Sequence, residues 1–456
     1  MNKILIANRA EIACRIIRSC RALGLATVAI YSEADAHALH VAMADEAHCV
    51  GAAPARESYL RSDRILEAAA SSGADAVHPG YGFLAENARF AQAVIDSGLI
   101  WIGPLPETIA DMGEKDKART IAEAAGLPVL PGSRPFAGGE LEGLLEAARK
   151  IGYPLLVKAS AGGGGIGMRR VEDPEKLLEV AEATQSMAEK SFGDGTIYLE
   201  RYLPKARHIE VQVFGFGDGR AVDLHERDCS IQRRFQKVVE ESPAPGLPDV
   251  VRKQMSTAAS ALCHHQRYRG AGTIEFIVDA ETFDFYFLEM NTRIQVEHPV
   301  TEMTTGLDLV AMQIELAQGT LAPVEQRDVR HRGHAIECRI YAENPAKNFR
   351  PSPGTLARFE LPAREEGVRI ETGFRTGDRI TVFYDPMIAK VICRAATRGA
   401  AIDRMLAALA ATSIEGLATN VPFLMATINH PAFREGKVFT GFIDAYMQEL
   451  VSFAGS

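Results

Sequence analysis

Residues 3–31, KILIANRAEIACRIIRSCRALGLATVAIY, contain the pattern that decides the fold class. A short apolar run, Lys3–Ala7, precedes a segment, Glu11–Leu23, whose apolar residues recur at helical spacing. Gly24 ends this helix, and a second apolar run, Thr27–Tyr31, follows it. A strand, a helix and a strand in this order predict two parallel strands joined by a crossover helix, the unit of a doubly wound sheet.

The same alternation continues to about residue 102. Further strands are predicted at Ala76–His78 and Ile100–Ile102, each after a helical pattern. The turn after the first strand, Ala7–Glu11, lacks the glycine fingerprint with which a dinucleotide-binding sheet holds phosphate, and this argues against a Rossmann oxidoreductase. The loop His78–Phe83 follows a strand end, where such sheets bind ligands.

Length and composition narrow the class of protein. The chain has 456 residues, which at roughly 150 residues per domain suggests about three domains. Its 47% hydrophobic and 24% charged residues are those of an ordinary globular protein. The net charge of −9 argues against a nucleic-acid or anionic-membrane partner, so any anionic ligand must be held by a local cluster of cations.

Several sequence features bear on location in the cell. The chain has no apolar run of 18 residues that would predict a transmembrane helix, and its first residues do not resemble a signal peptide. Seven scattered cysteines without a C-x-x-C pair fit reduced thiols rather than a disulfide or zinc framework. We therefore expect a cytoplasmic protein.

The chain changes character after about residue 153. An α+β region is predicted, in which a helix begins with Asp173 as N-cap and Pro174 at its first position. Its strands are predicted at Leu155–Ala159, Met168–Val171, Ile197–Glu200, Ile209–Phe214, Gly272–Asp279 and Phe283–Glu289. Short strands return after about residue 330, at Gly333–Tyr341, Val368–Thr372 and Ile388–Arg394.

The segment Lys158–Met168, KASAGGGGIGM, concentrates glycine after a predicted strand. Without side chains in the way, backbone N–H groups can approach phosphate oxygens, so the segment predicts a mobile flap over nucleotide phosphates. Its match to G-x-G-x-x-G is weak because no helix follows directly, and it lacks the Gly-Lys-Ser/Thr of a Walker A loop. A flexible surface loop is the alternative.

The segment Glu289–His298, EMNTRIQVEH, is the most informative for chemistry. Polar residues occupy the odd positions from 289 to 297, and alternate side chains of an extended chain share one face. We therefore expect a row of polar groups in which Arg293 and Gln295 bind an oxyanion and Glu297 acts as a general base. The alternative is an amphipathic strand with a solvated face.

The predicted strand before this segment suggests a metal site. If Thr273–Asp279 and Phe285–Asn291 pair symmetrically as a hairpin, Glu275 lies opposite Glu289, with Cβ atoms roughly 4.5–5.5 Å apart. Two carboxylates this close favour a cation between them, and Asn291 on the same face adds a neutral oxygen. This donor set suits Mg²⁺ or Mn²⁺. A protonated carboxyl group or a slipped register is the alternative.

Two other segments have less specific patterns. Glu226–Lys237 is basic within an acidic protein, which indicates contact with phosphate or carbonate, although a solvated charged face fits equally well. His208, Glu210 and Gln212 alternate with apolar residues. This pattern fits a polar face beside a nucleotide or a plain edge strand.

These segments closely resemble the biotin carboxylase family, the ATP-grasp component of biotin-dependent carboxylases. The resemblance runs from residue 1 to about 446 and rests on Ile6–Arg9, His78–Phe83, Lys158–Met168, Glu226–Glu241, Glu289–Glu302, Gly333–Arg339 and Tyr384–Lys390. It implies a fold of class α/β and α+β with three domains. These are a Rossmann-like N-terminal domain (1–115), an ATP-grasp domain (116–330) with a mobile glycine-rich lid at about 131–203, and a C-terminal biotin carboxylase domain (331–446).

The resemblance also implies an activity and its residues. The family uses ATP and bicarbonate to carboxylate biotin on a carrier protein through carboxyphosphate. The implied catalytic residues are Lys237, Arg293, Glu297, which deprotonates bicarbonate, and Arg339, which steadies the biotin enolate. The ATP-binding residues are Lys115, Lys158, Gly164, Gly165, Glu200, Leu203, His208, Gln232, Glu275 and Glu289. The metal ligands are Glu275, Glu289 and Asn291, for Mg²⁺ or Mn²⁺. Bicarbonate and biotin are bound by Tyr81, Lys237, Arg293, Gln295, Val296 and Arg339.

Two departures from the family pattern leave the final carboxyl acceptor open. Phe235 stands where many members have His, and Ile166 where many have Arg. These departures are similar to branches whose acceptor is not acetyl-CoA, urea carboxylase included. An acyl-CoA and a non-CoA acceptor such as urea are both retained.

The sequence contains no Met-Lys dipeptide of the kind that carries biotin in this family. We therefore expect the biotin carboxyl carrier and the carboxyltransferase on other chains, and the resemblance implies a homodimer. Two other functions remain as alternatives: an ATP-grasp ligase for a different carboxylate, and a non-catalytic nucleotide-binding subunit.

Overall fold

A computed structural model describes residues 1–160 and 167–454 of the chain. The first region of the structure is a parallel sheet with helices on both faces. Its strand order is β3-β2-β1-β4-β5, and every pair is parallel, so the doubly wound prediction is confirmed. The elements are β1 (Lys3–Ile6), α1 (Ala10–Ala22), β2 (Ala26–Ser32), α2 (Leu39–Met43), β3 (Glu46–Gly51), α3 (Ser62–Ser72), β4 (Ala76–His78), α4 (Ala88–Asp96), β5 (Ile100–Trp101) and α5 (Pro106–Gly113).

The strands of this sheet are buried from both sides. Ile4 and Ile6 of β1 pack into one apolar core, and Leu5 lies in the other. This is why the central strands are continuous apolar runs that the sequence predicts well. The edge strand β3 has no such run and was not predicted, because Val50 is its only buried residue.

The second region begins with a small three-stranded antiparallel sheet of order β7-β6-β8. Asp173 accepts a hydrogen bond from the Glu175 N–H (3.0 Å), as predicted for an N-cap, although the first turn is a 3₁₀ helix, Pro174–Lys176. The elements are α6 (Lys115–Ala124), α7 (Leu144–Ile151), β6 (Leu155–Ala159), β7 (Met168–Val171), α8 (Leu177–Phe192) and β8 (Ile197–Arg201).

An eight-stranded antiparallel sheet of order β13-β12-β9-β10-β11-β14-β21-β19 forms the centre of the molecule. Its first part and the helices around it are β9 (Ala206–Phe216), β10 (Ala221–Arg233), β11 (Gln236–Ser242), α9 (Asp249–His265), β12 (Arg269–Asp279), β13 (Phe285–Asn291), α10 (His298–Thr305) and α11 (Leu309–Gln318). Since β9 lies between β12 and β10, the edge-strand alternative for residues 208–212 is wrong.

The third region continues the same sheet. Its elements are β14 (His334–Tyr341), β15 (Glu343–Asn344), β16 (Arg350–Pro351), β17 (Gly354–Thr355), β18 (Arg358–Glu360), β19 (Val368–Thr372), β20 (Arg379–Ile380), β21 (Met387–Ala395), α12 (Arg398–Ala410), β22 (Ser413–Glu415), α13 (Val421–Asn429), α14 (Pro431–Arg434) and α15 (Phe442–Ala454). Since β11 pairs with β14, hydrogen bonds cross the boundary predicted near residue 330, and the domain limits stay a prediction.

The solvated-face alternative for residues 226–237 is wrong for most of the segment. It lies in β10 and β11, two adjacent strands in the interior of the central sheet. Arg227 is completely buried, whereas only the turn between the strands, at Arg234 and Phe235, is exposed. No helix in the described part of the chain is long and apolar enough to span a membrane.

Candidate active site

A buried arginine organises the floor of a cleft against the central sheet. Arg227 of β10 donates hydrogen bonds to Glu210 Oε1 (2.7 Å), Gln212 Oε1 (2.6 Å) and Gln295 Oε1 (2.6 Å). Burial alone would lower its pKa, but Glu210 and Glu297 outweigh this effect and raise it. The guanidinium is therefore a fixed positive charge that orients Gln295.

Lys237 of β11 lies above this floor and contacts three carboxylates. Its Nζ is 2.7 Å from Glu210 Oε2, 2.9 Å from Glu275 Oε1 and 2.6 Å from Glu297 Oε1. Burial alone would lower the pKa of Lys237, but Cys229 and these three glutamates raise it well above its ordinary value. Lys237 thus stays charged and joins residues from three other segments of the chain.

Glu297 is held between two cations. Lys237 contacts one oxygen, and Arg339 Nη2 of β14 lies 3.1 Å from the other. Burial favours the neutral acid, but the Lys237 ammonium and the Arg339 guanidinium lower the pKa of Glu297 to about 2. The carboxylate is therefore ionised at neutral pH and oriented at both oxygens.

The sequence predicts that residues 289–297 form one extended strand with a continuous row of polar side chains. This prediction is wrong beyond Asn291, where β13 ends. Arg293 turns back to donate to Asn291 Oδ1 (2.8 Å) and to Glu86 Oε2 (2.8 Å). Pro299 then lies in the first turn of α10, so the chain has become helical by residue 298. The irregular segment 292–297 nevertheless directs Gln295 and Glu297 into the cleft.

The predicted hairpin of β12 and β13 is confirmed at its critical pair, because Glu275 lies opposite Glu289. A β-bulge after Glu275 shifts the pairs beyond it by one residue. Glu289 lies at the exposed mouth of the cleft. Desolvation within the cleft and the Glu275 carboxylate raise its pKa, as expected for like charges in close proximity.

The residues of this hairpin fit a divalent cation. Glu275 and Glu289 are cross-strand partners, and Asn291 is two residues beyond Glu289 on the same strand. Two carboxylates and an amide oxygen form the hard donor set that Mg²⁺ or Mn²⁺ prefers. His208 Nε2 lies 2.9 Å from Glu275 Oε2; burial alone would lower the pKa of His208, but this carboxylate raises it.

Lys158 and Glu200 lie on the small sheet, and their charged atoms are 2.7 Å apart (Lys158 Nζ to Glu200 Oε1). Burial would lower the pKa of Lys158, but Glu200 outweighs it and the pKa is raised. Lys115 is the first residue of α6, and its charge opposes the rise in the pKa of Glu289.

Leu203 is buried in a small apolar cluster that also contains Leu130, Ala206, Ile277 and Tyr286. The predicted flap residues Gly164 and Gly165, and Ile166 beside them, lie outside the described residues.

Tyr81 is held by the loop after β4. Asn8 Nδ2 donates to the carbonyl oxygens of Pro79 and Tyr81, each at 2.7 Å. Gly80 has a positive φ of +63°, and a Cβ there would lie 3.0 Å from Asn8 Nδ2, so this tight turn requires glycine. The Tyr81 hydroxyl donates to Glu11, not to the predicted bicarbonate ligands.

The structure therefore brings together one part of the predicted site and leaves another part separate. The contacting cluster contains His208, Lys237, Glu275, Gln295, Glu297 and Arg339, whereas Asn291 and Arg293 contact each other. Gln232 lies beside it as the cross-strand partner of Lys237. Phe235 is 68% exposed at the turn between β10 and β11 and contributes no polar contact.

Four residues that contact predicted site residues were not themselves assigned to the site from the sequence. Glu210, Arg227 and Glu86 contact predicted residues, and Glu240 forms an ion pair with Arg339. Burial raises the pKa of Glu240 to about 7, although Arg339 opposes the shift. The alternation at 208–212 contained the signal for Glu210, and a pair of adjacent glutamates directly after Val238 and Val239 contained the signal for Glu240.

A Rossmann-like parallel sheet, a small antiparallel sheet and a charged cleft on a larger antiparallel sheet together indicate an ATP-grasp enzyme. Three family models match the chain: "Biotin carboxylase, N-terminal domain" at residues 1–109, "Carbamoyl-phosphate synthase L chain, ATP binding domain" at 114–324, and "Biotin carboxylase C-terminal domain" at 337–445. The chain belongs to the biotin carboxylase family, and the resemblance found in the sequence is confirmed.

Relatives and solved structures agree with this assignment. The biotin carboxylase of Halalkalibacterium halodurans is 51% identical over 98% of both chains. The mitochondrial methylcrotonoyl-CoA carboxylase subunit alpha of Mus musculus is 48% identical, and the match covers 99% of this chain and 63% of that protein. The biotin carboxylase domain dimer of the Hydrogenobacter thermophilus 2-oxoglutarate carboxylase, in complex with MgADP, ADP and bicarbonate, is 44% identical, with a TM-score of 0.91 over 98% of both chains.

Proposed function

We propose that this chain is a biotin carboxylase that uses ATP and bicarbonate to carboxylate biotin. The observation that carries the proposal is the ionised Glu297 carboxylate held between Lys237 and Arg339. A base with one orientation and two adjacent cations suits a reaction in which an anion must be bound and deprotonated in one place.

Glu297 accepts the proton of bicarbonate, and Lys237, Arg293 and Gln295 bind the anion through their N–H groups. A bicarbonate that shared the Lys237 and Arg339 contacts would remove part of the stabilisation that keeps the pKa of Glu297 low, and so make this carboxylate a stronger base. The deprotonated anion attacks the γ-phosphate of ATP to form carboxyphosphate and ADP.

Carboxyphosphate then breaks down to CO₂ and phosphate, and the phosphate takes the proton from the biotin ureido nitrogen. The resulting enolate is negatively charged, Arg339 is positioned to steady it, and the ureido nitrogen forms the new N–C bond with CO₂. The Arg339 guanidinium is held by Glu240 and Glu297, so its orientation costs no reorganisation during the reaction.

Glu275, Glu289 and Asn291 would hold Mg²⁺ or Mn²⁺. Such an ion neutralises charge on the ATP phosphates. Lys158 and Lys115 would contribute further positive charge on the nucleotide side. The contact between Lys158 and Glu200 keeps that lysine charged before nucleotide binds.

Carboxylation of biotin is the first half of a biotin-dependent reaction, so the chain requires partner proteins. Biotin arrives on a carboxyl carrier protein or domain, and a carboxyltransferase uses the product. We propose that both are on other chains and that this chain forms a homodimer, as described for the Hydrogenobacter thermophilus domain. The expected cytoplasmic location stays a prediction.

The final acceptor is proposed to be an acyl-CoA. Methylcrotonoyl-CoA carboxylase alpha subunits from animals and plants are 48–49% identical over 99% of this chain. The urea carboxylase of Kluyveromyces lactis is 36% identical with a TM-score of 0.79, and is the weaker candidate. Reconstitution with the carrier and transferase that co-purify with the chain decides between the two.

The half-reaction is tested by ADP release with free biotin in the presence and absence of bicarbonate. Glu297→Gln removes the base but keeps the shape of the side chain, so we expect kcat to fall by about 10²–10⁴-fold. Glu241→Gln is the matched control, because Glu241 is equally buried but contacts His334 and Arg398 instead of the cleft. Equal activity of the Glu297→Gln variant and the wild type would refute the proposed role of Glu297.

A further inference from the structure

Lys390 of β21 is a completely buried lysine that the proposed reaction does not use. It is the cross-strand partner of Arg339 on one side and of Glu371 on the other. A buried ammonium group is costly unless it is paired and hydrogen-bonded, so its contacts indicate what it does.

The contacts of Lys390 join three distant segments of the chain. Its Nζ lies 3.1 Å from Glu11 Oε1 at the start of α1 and donates to the carbonyl oxygen of Val296 (2.7 Å). The same Nζ lies 6.0 Å from the centroid of the Tyr81 ring, and the Tyr81 hydroxyl donates to Glu11. Lys390 therefore connects the loop that holds Tyr81 to the turn that holds Glu297.

The Val296 carbonyl is part of a short turn between Gln295 and Glu297. Burial, with Lys390 and nearby arginines, lowers the pKa of His298 well below its ordinary value, so the imidazole is neutral, and its Nδ1 lies 2.7 Å from the Gln295 carbonyl. Lys390 thus fixes the Val296 carbonyl group, and His298 fixes the Gln295 carbonyl group. Rotation of either peptide would redirect the Gln295 and Glu297 side chains.

The position of Glu11 is itself fixed by close packing of the third region on the first. Gly373, just after β19, approaches the backbone of Ala10 and Glu11 so closely that a Cβ at this position would collide with it. The buried ion pair of Glu11 and Lys390 therefore lies at a tight contact between the two regions.

We propose that Lys390 is a positioning residue that fixes the Val296 peptide, and with it Gln295 and Glu297, in the orientation that binds bicarbonate. Glu11 is its counter-ion and links this peptide to Tyr81 on the biotin side. The inference rests on the proposed function and adds a second group of residues, from the first and third regions, that the bicarbonate site requires.

The test compares Lys390→Met with wild type in bicarbonate-dependent ADP release. We expect the KM for bicarbonate to rise about tenfold or more and kcat to fall, whereas the KM for MgATP stays within about twofold, because no nucleotide-side residue contacts Lys390 in the described part of the chain. Arg398→Met is the matched control. It removes a largely buried cation from a different ion pair, Glu241–Arg398, and should leave the KM for bicarbonate unchanged.

A double variant separates positioning from simple loss of a charge partner. Lys390→Met leaves Glu11 as an uncompensated buried carboxylate, which is destabilising by itself. Glu11→Gln/Lys390→Met removes both charges, so it should recover thermal stability but keep the raised KM for bicarbonate. Recovery of the wild-type KM in the double variant would overturn the proposal.

Hydrogen exchange supplies a readout that does not depend on activity. The amides of residues 295–298 should exchange faster in the double variant than in wild type, and unchanged exchange would contradict the positioning role. If the wild type released no ADP in response to bicarbonate, the proposed function would fail, and the exchange result would still decide whether Lys390 fixes this turn.

Discussion

At the scale of single residues, the site is built on buried charges that compensate each other. Glu297 and Arg227 are buried, Lys237 is partly buried, and each contacts groups of opposite charge. Such residues look like surface charges in the sequence, because what distinguishes them is the partner, and the partner is tens to hundreds of positions away. This is why Arg227 and Glu240 were not predicted.

The same principle applies to Glu241, whose pKa can be tested outside the site. Burial would raise the pKa of Glu241, but the His334 hydrogen bond and the Arg398 guanidinium lower it to about 2. Because this folded-state pKa lies below the unfolded value of about 4.3, ionised Glu241 stabilises the fold above pH ~4.3, and the contribution is lost as the pH falls towards 2.

Glu241→Gln should therefore lower the unfolding temperature at pH 7, by an amount corresponding to about 3 kcal/mol at most. The difference from wild type should shrink as the pH falls below about 4. Calorimetry between pH 7 and pH 3.5 checks this, with the exposed Glu281→Gln as control. A difference that is independent of pH would show that Glu241 has an ordinary pKa.

At the scale of elements, the hairpin of β12 and β13 was predictable and the strands β10 and β11 were not. Alternating apolar residues on both sides of a short turn fix the pairing of Glu275 with Glu289, because a one-residue slip would place the apolar side chains in water. In β10 and β11 the inward side chains include Arg227 and Glu240, so the alternation of polar and apolar residues disappears. Segment 292–297 departs from extended structure because Arg293 hydrogen-bonds back to Asn291.

The paired carboxylates of the hairpin make a prediction about metal dependence. Glu289→Gln removes one charged oxygen donor from the proposed ligand set, so the Mg²⁺ concentration for half-maximal activity should rise about tenfold or more. Glu281→Gln is the control on the same hairpin, since Glu281 is exposed in the turn and pairs only with Lys205 among the described residues. A titration in which both variants match the wild type would refute the metal site.

At the scale of the whole molecule, the sequence predicts the fold class and the family but not how the regions meet. The doubly wound sheet follows from apolar runs, and long specific motifs identify the family. The shared sheet of the second and third regions depends on pairing between β11 and β14, nearly one hundred residues apart, which no local pattern encodes. The contact of Glu11 with Lys390 depends on the same long-range packing.

The most direct test of the central claim follows the carbon atom of bicarbonate. Purified protein is incubated with radiolabelled bicarbonate, MgATP and free biotin, and the label in biotin is counted. The account predicts that label enters biotin only when ATP is present, and that Glu297→Gln slows this transfer by about 10²–10⁴-fold while Glu241→Gln retains it. Hydrolysis of ATP by the wild type without any label in biotin would contradict the account.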